Sequence, residues 1–169
     1  MKKYAQNKIL QFEILAEIRK KPHGTIGFCS GCFDILHSGH VVFFEQAKEK
    51  CDALVVSVGS DSVIRALKGP GRPVNPENNR LFLLAGLESV DYVILGGEDK
   101  DMRPGKIDFY ETFKALRPDV YILNDDDSAI KEKTALCQET GTKLEFVART
   151  VPPLLAPTSS TKIIRNLNL

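Results

Sequence analysis

No apolar run in this 169-residue chain approaches the length of about 20 residues that a membrane-spanning helix needs, so no helical span is expected. Excess charge is missing too. Lysine and arginine number 23 against 22 acidic residues, a formal net charge of +1. That balance argues against a general polyanion-binding surface and against nucleic acid as a partner, while leaving room for a local basic pocket. Signal-peptide features are absent as well: the opening Met1-Lys2-Lys3-Tyr4-Ala5-Gln6-Asn7 runs into an amphipathic stretch carrying Glu13 and Glu17. The expectation is a cytoplasmic protein without membrane association.

Cysteine is scarce, at four residues, which a reducing compartment would keep as thiols. Cys29 and Cys32 form a CxxC, but Cys29 falls inside an apolar run and the next helix begins several residues later. A redox dithiol needs its first cysteine exposed at a helix N-terminus, so that activity is not expected. Cys51 and Cys137 stand alone, no second pair has zinc-ligand spacing, and no protein-bound metal is expected. All four read as packing residues.

What is present is an ordinary globular composition, 43% hydrophobic and 27% charged, without repeats, low-complexity segments or linkers. At this length a single domain with one sizeable core is expected. Asn7 can cap a helix over 7–20, where Ile9, Leu10, Phe12, Ile14, Leu15 and Ile18 make an apolar stripe near the 3.6 period. Pro22-His23-Gly24 ends it, with His23 as a turn residue. Apolar runs at 25–29 and 53–58 read as buried strands, and further strands are expected at 91–95, 119–123 and 144–148. Helices are expected at 41–50, where Phe43, Phe44 and Ala47 face the core, and at 62–67. Another starts at Pro76 with Asn75 as cap, and others follow at 109–116 after an irregular charged segment 96–108, at 128–139 and at 158–167. This alternation implies a single α/β domain, a Rossmann-like doubly wound parallel sheet of about five strands, with its core over 25–148.

The chemistry concentrates where the first of these strands meets a helix, in Gly31-Cys32-Phe33-Asp34-Ile35-Leu36-His37-Ser38-Gly39-His40. The first N–H groups of a helix lack intrahelical partners and the macrodipole is positive there, so phosphate is the natural guest. His37 and His40, three apart, fall on one side of the incoming turn, and Gly39 has no side chain to block a phosphate oxygen. Each imidazole can donate an N–H to an oxygen that gains charge during phosphoryl or nucleotidyl transfer. The alternative is that one histidine caps the helix and the other is a surface residue.

Three further clusters bear on the same edge. Lys68, Arg72 and Arg80 could converge on one polyanion, or the loop 68–76 is a solvated connection with ordinary surface charges. Asn124-Asp125-Asp126-Asp127 follows a strand, and ligands of open parallel sheets bind beyond the carboxyl ends of strands. That tip could place a magnesium ion or bind sugar hydroxyls, with at least one aspartate capping the next helix. Thr158-Ser159-Ser160-Thr161-Lys162 opens a second helix, either as another phosphate cradle or as a capped terminus.

The ten residues 31–40 resemble the GxFDxxHxGH signature of the cytidylyltransferase-like nucleotidyltransferases, and further similar stretches extend the resemblance over about 25–164. The pattern is most similar to the adenylyltransferase domain of the ADP-heptose synthase family, through Val58-Gly59-Ser60-Asp61, Leu67-Lys68-Gly69, Arg72-Pro73-Val74-Asn75-Pro76 with Arg80, and Leu87-Glu88-Ser89-Val90-Asp91. The kinase half of that bifunctional enzyme has no counterpart here. The resemblance implies that His37 and His40 contact nucleotide phosphates and that Lys68 bridges nucleotide and acceptor, these three being the catalytic set. It implies nucleotide binding by Gly31, Cys32, Phe33, Asp34, Gly39, Arg80, Ser159, Ser160 and Thr161, and acceptor binding by Lys68, Arg72, Asp125, Asp126 and Arg149. Two stretches depart from the family pattern: Asn124-Asp125-Asp126 replaces a glycine-containing run, and the loop 149–159 is longer and richer in proline.

The expected activity is transfer of a nucleoside monophosphate from an NTP, with magnesium, to a phosphorylated sugar or polyol, releasing pyrophosphate. ATP and a heptose 1-phosphate lead. CTP with a glycerol 3-phosphate-like acceptor is the alternative within the class, and a catalytically silent nucleotide-binding regulator is the alternative outside it. The resemblance also implies a homodimer.

Overall fold

The computed structural model describes residues 4–22, 24–97, 107–127 and 129–166. His23, most of the segment 96–108, Ser128 and the last residue of the expected terminal helix lie outside the described residues.

Six parallel strands form one sheet: β1 (Ile9–Leu10), β2 (Ile26–Gly31), β3 (Ala53–Val58), β4 (Tyr92–Leu95), β5 (Val120–Asn124) and β6 (Lys143–Val147), in the order β1-β4-β3-β2-β5-β6. Seven α-helices are described: α1 (Leu15–Lys20), α2 (Ser38–Lys48), α3 (Asp61–Lys68), α4 (Glu77–Ala85), α5 (Tyr110–Leu116), α6 (Ile130–Thr140) and α7 (Ser160–Asn166). Strand residues alternate between two cores. On one face Cys29, Leu54, Val56 and Val58 pack with Phe43, Phe44 and Ala47 of α2 and Leu81 and Leu84 of α4. On the other, Ile26, Phe28 and Val55 pack with α1, α5 and α6 through Leu15, Ile18, Phe113 and Leu136. Burial on both faces is why these strands read as continuous apolar runs.

Residues 7–20 do not form one helix. A 3-10 turn at Ala5–Lys8 leads into β1, and a second at Phe12–Ile14 leads into α1. Asn7 caps nothing; it lies inside the first turn, whose flanking residue is Tyr4. Ile9 and Leu10 pair in register with Val93 and Ile94, giving a sixth strand at the sheet edge. Open N–H and C=O groups on β4 outcompete the weak helix preference of a short uncapped segment. Lys8 reinforces the docking, its buried ammonium donating to the carbonyls of Leu87 at 2.8 Å and Val90 at 2.7 Å. At the other end, Arg19 of α1 donates two bonds to Asp119, at 2.9 and 2.8 Å, and the same carboxylate accepts the N–H of Ile26.

The chain winds from β2 through β3 to β4 on one side, then crosses to β5 and β6 on the other. Strand order therefore reverses between β2 and β5, the position where open parallel sheets bind ligands. Register pairs of β2 with β3 continue to Gly31–Val58, whereas those of β2 with β5 stop at Phe28–Tyr121. The strands part beyond that point, and the cleft opens at their carboxyl ends.

Candidate active site

The histidine turn is built by local sterics. Phe33 adopts a left-handed backbone, φ 48°, uncommon for a bulky residue. Its ring folds over Gly31, where an added Cβ would lie 2.8 Å from the ring, and packs 5.2 Å from Phe44 and 5.4 Å from His40. His37 occupies the N-cap of α2 in extended conformation. Its backbone N–H donates to Nδ1 of His40 at 3.3 Å, which leaves the proton of a neutral His40 ring on Nε2. The two rings stack with centroids 3.9 Å apart. Gly39 also gives the histidine room: a Cβ there would sit 3.2 Å from the His37 ring.

Burial, reinforced by the charges of His37, Arg149 and Lys68, pulls His40 down to about 3. His37 is lowered by burial and by Arg149. Both rings are therefore neutral near pH 7. Nδ1 of His37 is buried without a hydrogen-bond partner.

A cavity of about 190 Å³ lies at the switch point, lined among others by Gly31, Cys32, His40, Lys68, Arg149 and Ser160, with Asn124 and Asp127 on its wall. Lys68 ends α3 and is exposed to this space. Ser160, at the start of α7, donates to the carbonyl of Ile35 at 3.0 Å and so ties the terminal helix to the histidine turn. The start of that helix is capped by Ser159, whose hydroxyl accepts the N–H of Lys162 at 3.2 Å. Ser159 and Thr161 line none of the described cavities, and neither does His37.

Arg80 corrects the sequence reading. It is 1% exposed, and its guanidinium donates to the carbonyls of Asn75, Cys32 and Gly59 and to Asp61 at 2.7 to 2.9 Å. A side chain whose donors are engaged inside the protein cannot converge with Lys68 on a polyanion. Asp34 lines the central cavity but is 1% exposed and its carboxylate is engaged: it accepts from Nε of Arg72 at 2.6 Å and from the N–H groups of Val74 and Asn75 at 2.8 and 3.0 Å. Burial alone would raise this carboxyl, but the bonds from Asn75, Arg72 and Val74 outweigh it and hold it below its usual value. Asp34 and Arg72 thus pin the loop between α3 and α4, and of the three cations only Lys68 lines the phosphate-sized cavity. The Asn75 N–H is drawn to Asp34, so Pro76, not Asn75, takes the N-cap of α4.

The acidic tip divides. Asp125 and Asp126 are exposed and line none of the described cavities, and Asp126 pairs with Arg149 at 2.6 Å. Asp127 turns inward, accepting from the N–H of Ala129 and from Lys133. The aspartate cap expected for this helix does not form: Ala129 takes the N-cap of α6 without a side-chain bond, and Asp127 accepts the N–H of Ala129 itself. Cys32 lines the site, so it is not merely a packing residue. Cys29 is buried in β2 with its thiol pushed up by burial, and all four cysteines are free thiols.

Two further cavities flank the first. One of about 180 Å³ is mainly apolar, bounded by Gly39, Val42, Arg149, Val151, Pro152 and Leu155, so the proline-rich loop forms a wall. The other, about 430 Å³, runs between α3, the start of α5 and α6 and shares Ser30, Gly31, Cys32 and Asp127 with the central one. Sequence reading missed Ser30, Asp108, Glu132 and Lys133 in its lining. Ser30 could have been found, since it precedes the glycine turn, but the others lie on separate elements with no motif between them.

No described helix is long and apolar enough to cross a membrane. Among the described residues no three His, Cys, Asp or Glu side chains converge as a metal cage.

The family model described as Cytidylyltransferase-like matches residues 28–166. The chain is 41% identical over 116 residues to the bifunctional protein HldE of a Nitratiruptor species, a match covering 69% of this chain and 23% of that protein. It is 34% identical over 149 residues to the protein of the same name from Aliarcobacter butzleri, covering 86% and 29%. It therefore spans about a quarter of the length of these curated relatives. Among solved structures, the lipopolysaccharide core biosynthesis protein from Thermoplasma volcanium superposes with a TM-score of 0.61 at 30% identity, covering 76% of this chain and 98% of that one. Pantoate-beta-alanine ligase from Francisella tularensis gives 0.62 at 20% identity, covering 95% and 72%, a likeness of fold alone. A family match that begins in the strand feeding the histidine turn and ends with the last described helix places the chain in the cytidylyltransferase-like family of nucleotidyltransferases.

Proposed function

We propose that the chain transfers a nucleoside monophosphate from an NTP to a phosphorylated sugar, with ATP and D-glycero-D-manno-heptose 1-phosphate as the leading pair. The observation that carries this reading is the convergence of His40, Lys68 and Ser160 on one small cavity at the switch point, between an apolar cavity and a larger mixed one. A nucleotide base suits the apolar side, its phosphates the centre and the acceptor the larger side. The likeness to HldE proteins and to a lipopolysaccharide core biosynthesis protein supports a sugar phosphate as acceptor. The homodimer implied by the resemblance belongs to the same proposal.

An acceptor phosphate is already ionised near pH 7, so no side chain need act as general base. The site has to align the acceptor oxygen with the α-phosphate and stabilise charge on the equatorial oxygens and the leaving group. Nε2–H of His40, the Lys68 ammonium and the Arg149 guanidinium are the donors on this wall, while Ser160, its proton given to Ile35, fixes the start of α7 beside them. Lys68 stands between nucleotide and acceptor phosphates. Arg149 borders the apolar and central cavities, which suits nucleotide phosphate better than acceptor. Magnesium would offset pyrophosphate charge, its waters met by Asn124 and Asp127.

The test is magnesium-dependent pyrophosphate release with ATP or CTP crossed against heptose 1-phosphates and glycerol 3-phosphate. Turnover with ATP and a heptose 1-phosphate is expected. His40→Ala should reduce kcat by about 10²- to 10³-fold, the loss typical of one oriented donor, with an unchanged circular dichroism spectrum. Tight nucleotide binding with no pyrophosphate from any acceptor would favour the silent regulator instead.

A further inference from the structure

Two hydrogen bonds bolt the root of the proline-rich loop. Thr150 accepts from the side-chain amide of Gln46 on α2 at 2.8 Å, and Nη1 of Arg149 donates to Asp126, just beyond β5, at 2.6 Å. The two stretches in which the sequence departs from the family pattern, 124–126 and 149–159, therefore meet in one ion pair. Both of its members are about half exposed, and among the described residues Asp126 is the hydrogen-bond partner of the Arg149 guanidinium.

Arg149 lines the apolar cavity and the central one, whereas Asp126 lines none of the described cavities. The carboxylate thus holds the guanidinium from outside them. A guanidinium carries five N–H donors in a rigid fork, so one corner on Asp126 leaves another edge for an anion. Its charge is still felt at the histidine turn, where it lowers both His37 and His40.

Arginine is among the side chains with most rotamer freedom, and freezing it when a ligand arrives subtracts from affinity. A guanidinium already held at the cavity border has lost that freedom before the nucleotide binds. The bond between Gln46 and Thr150 fixes the neighbouring residue, so the position of the guanidinium itself depends on Asp126. A carboxylate inside the cavity would repel phosphate, and Asp126 avoids this by lying outside it.

We propose that Asp126 is a positioning residue: it presets Arg149 at the border of the apolar and central cavities, where the remaining N–H groups meet a nucleotide phosphate, and it touches neither nucleotide nor acceptor. The inference rests on the nucleotide reading of the central cavity and takes Asp126 out of the acceptor site, where the resemblance had put it.

The experiment is a double-mutant cycle on the full chain. Magnesium with ATP, and separately with CTP, is titrated calorimetrically into wild type, Asp126→Ala, Arg149→Ala and the double variant, and KM for D-glycero-D-manno-heptose 1-phosphate is measured alongside. Arg149→Ala should weaken the tighter-binding nucleotide about tenfold or more, the scale of a hydrogen bond between charged groups. Asp126→Ala should weaken it about two- to fivefold, the scale of an exposed ion pair, with acceptor KM and Tm unchanged. In the Arg149→Ala background the same change should have no effect or tighten binding slightly, since an unpaired carboxylate then stands near the phosphates. Unaltered or tighter nucleotide binding in Asp126→Ala alone, an equal loss in both backgrounds, or a raised acceptor KM would overturn the inference, while nucleotide binding by wild type keeps the nucleotide reading standing. No binding of either nucleotide by wild type would overturn both.

Discussion

His40 lines the central cavity as a neutral ring because burial, and then the positive charge around it, disfavours the imidazolium, while the N–H of His37 occupies its Nδ1. Its folded value, about 3, lies below the ordinary histidine value, so over that interval the unfolded chain binds the extra proton. Stability contributed by the neutral ring is complete above about pH 6.5 and drains away as pH falls toward 3; at pH 4 the loss is about 3 kcal/mol. Asp34 and Asp119, both held low, add a second loss of the same sign below about pH 4. Urea denaturation between pH 7 and 4 should show the first decline, and His40→Asn should flatten it; equal slopes for both proteins would contradict the assignment. Arg80 calls for the opposite kind of test. Arg80→Met strands three carbonyls and Asp61, and should cost about 3–5 kcal/mol in denaturant while nucleotide affinity of the folded variant stays within about threefold. A large loss of affinity without loss of stability would restore Arg80 as a phosphate ligand.

Among the elements, the loop between α3 and α4 depends most on a single side chain. Asp34, at the end of the histidine turn's strand connection, holds Arg72, Val74 and Asn75 and thereby sets where Lys68 stands relative to His40. Asp34→Asn turns an amide toward groups that donate, so about 1–3 kcal/mol should be lost and amide exchange at Val74 and Asn75 should quicken, read by mass spectrometry or NMR. Protection equal to wild type would show that the loop is held by something else. The same scale shows what linear reading resolves. β3 was legible to the residue, since Ala53–Val58 is an apolar run broken only by Ser57 and buried throughout. β1 was not, because Ile9 and Leu10 carry an amphipathic helix pattern and become a strand only through the edge of β4, more than 80 residues away.

For the molecule as a whole, divergence of β2 from β5 creates the cleft, and ligand occupying it should stabilise the folded chain by mass action. ATP with magnesium at a hundred times its Kd should add about 2.7 kcal/mol, visible as a rise in Tm, with inorganic phosphate giving a smaller shift. No shift with any nucleotide would mean that the cavity at the switch point is not a nucleotide site. Parallel α/β architecture and the turn 31–40 at the end of β2 were legible from residue order, because apolar runs, glycine turns and helix starts are local signals, and His40 and Lys68, singled out from that order, line one cavity. Tertiary structure decided which charges line the central cavity. Lys68 and Arg80 look alike in a linear reading, yet Arg80 is drawn inward by carbonyls on Cys32 and Gly59 while Lys68 is left at the cavity, and Asp127 turns in where Asp125 and Asp126 turn out. The cost of leaving a buried polar group unpaired is settled by partners distant in sequence, and only folding brings those partners together.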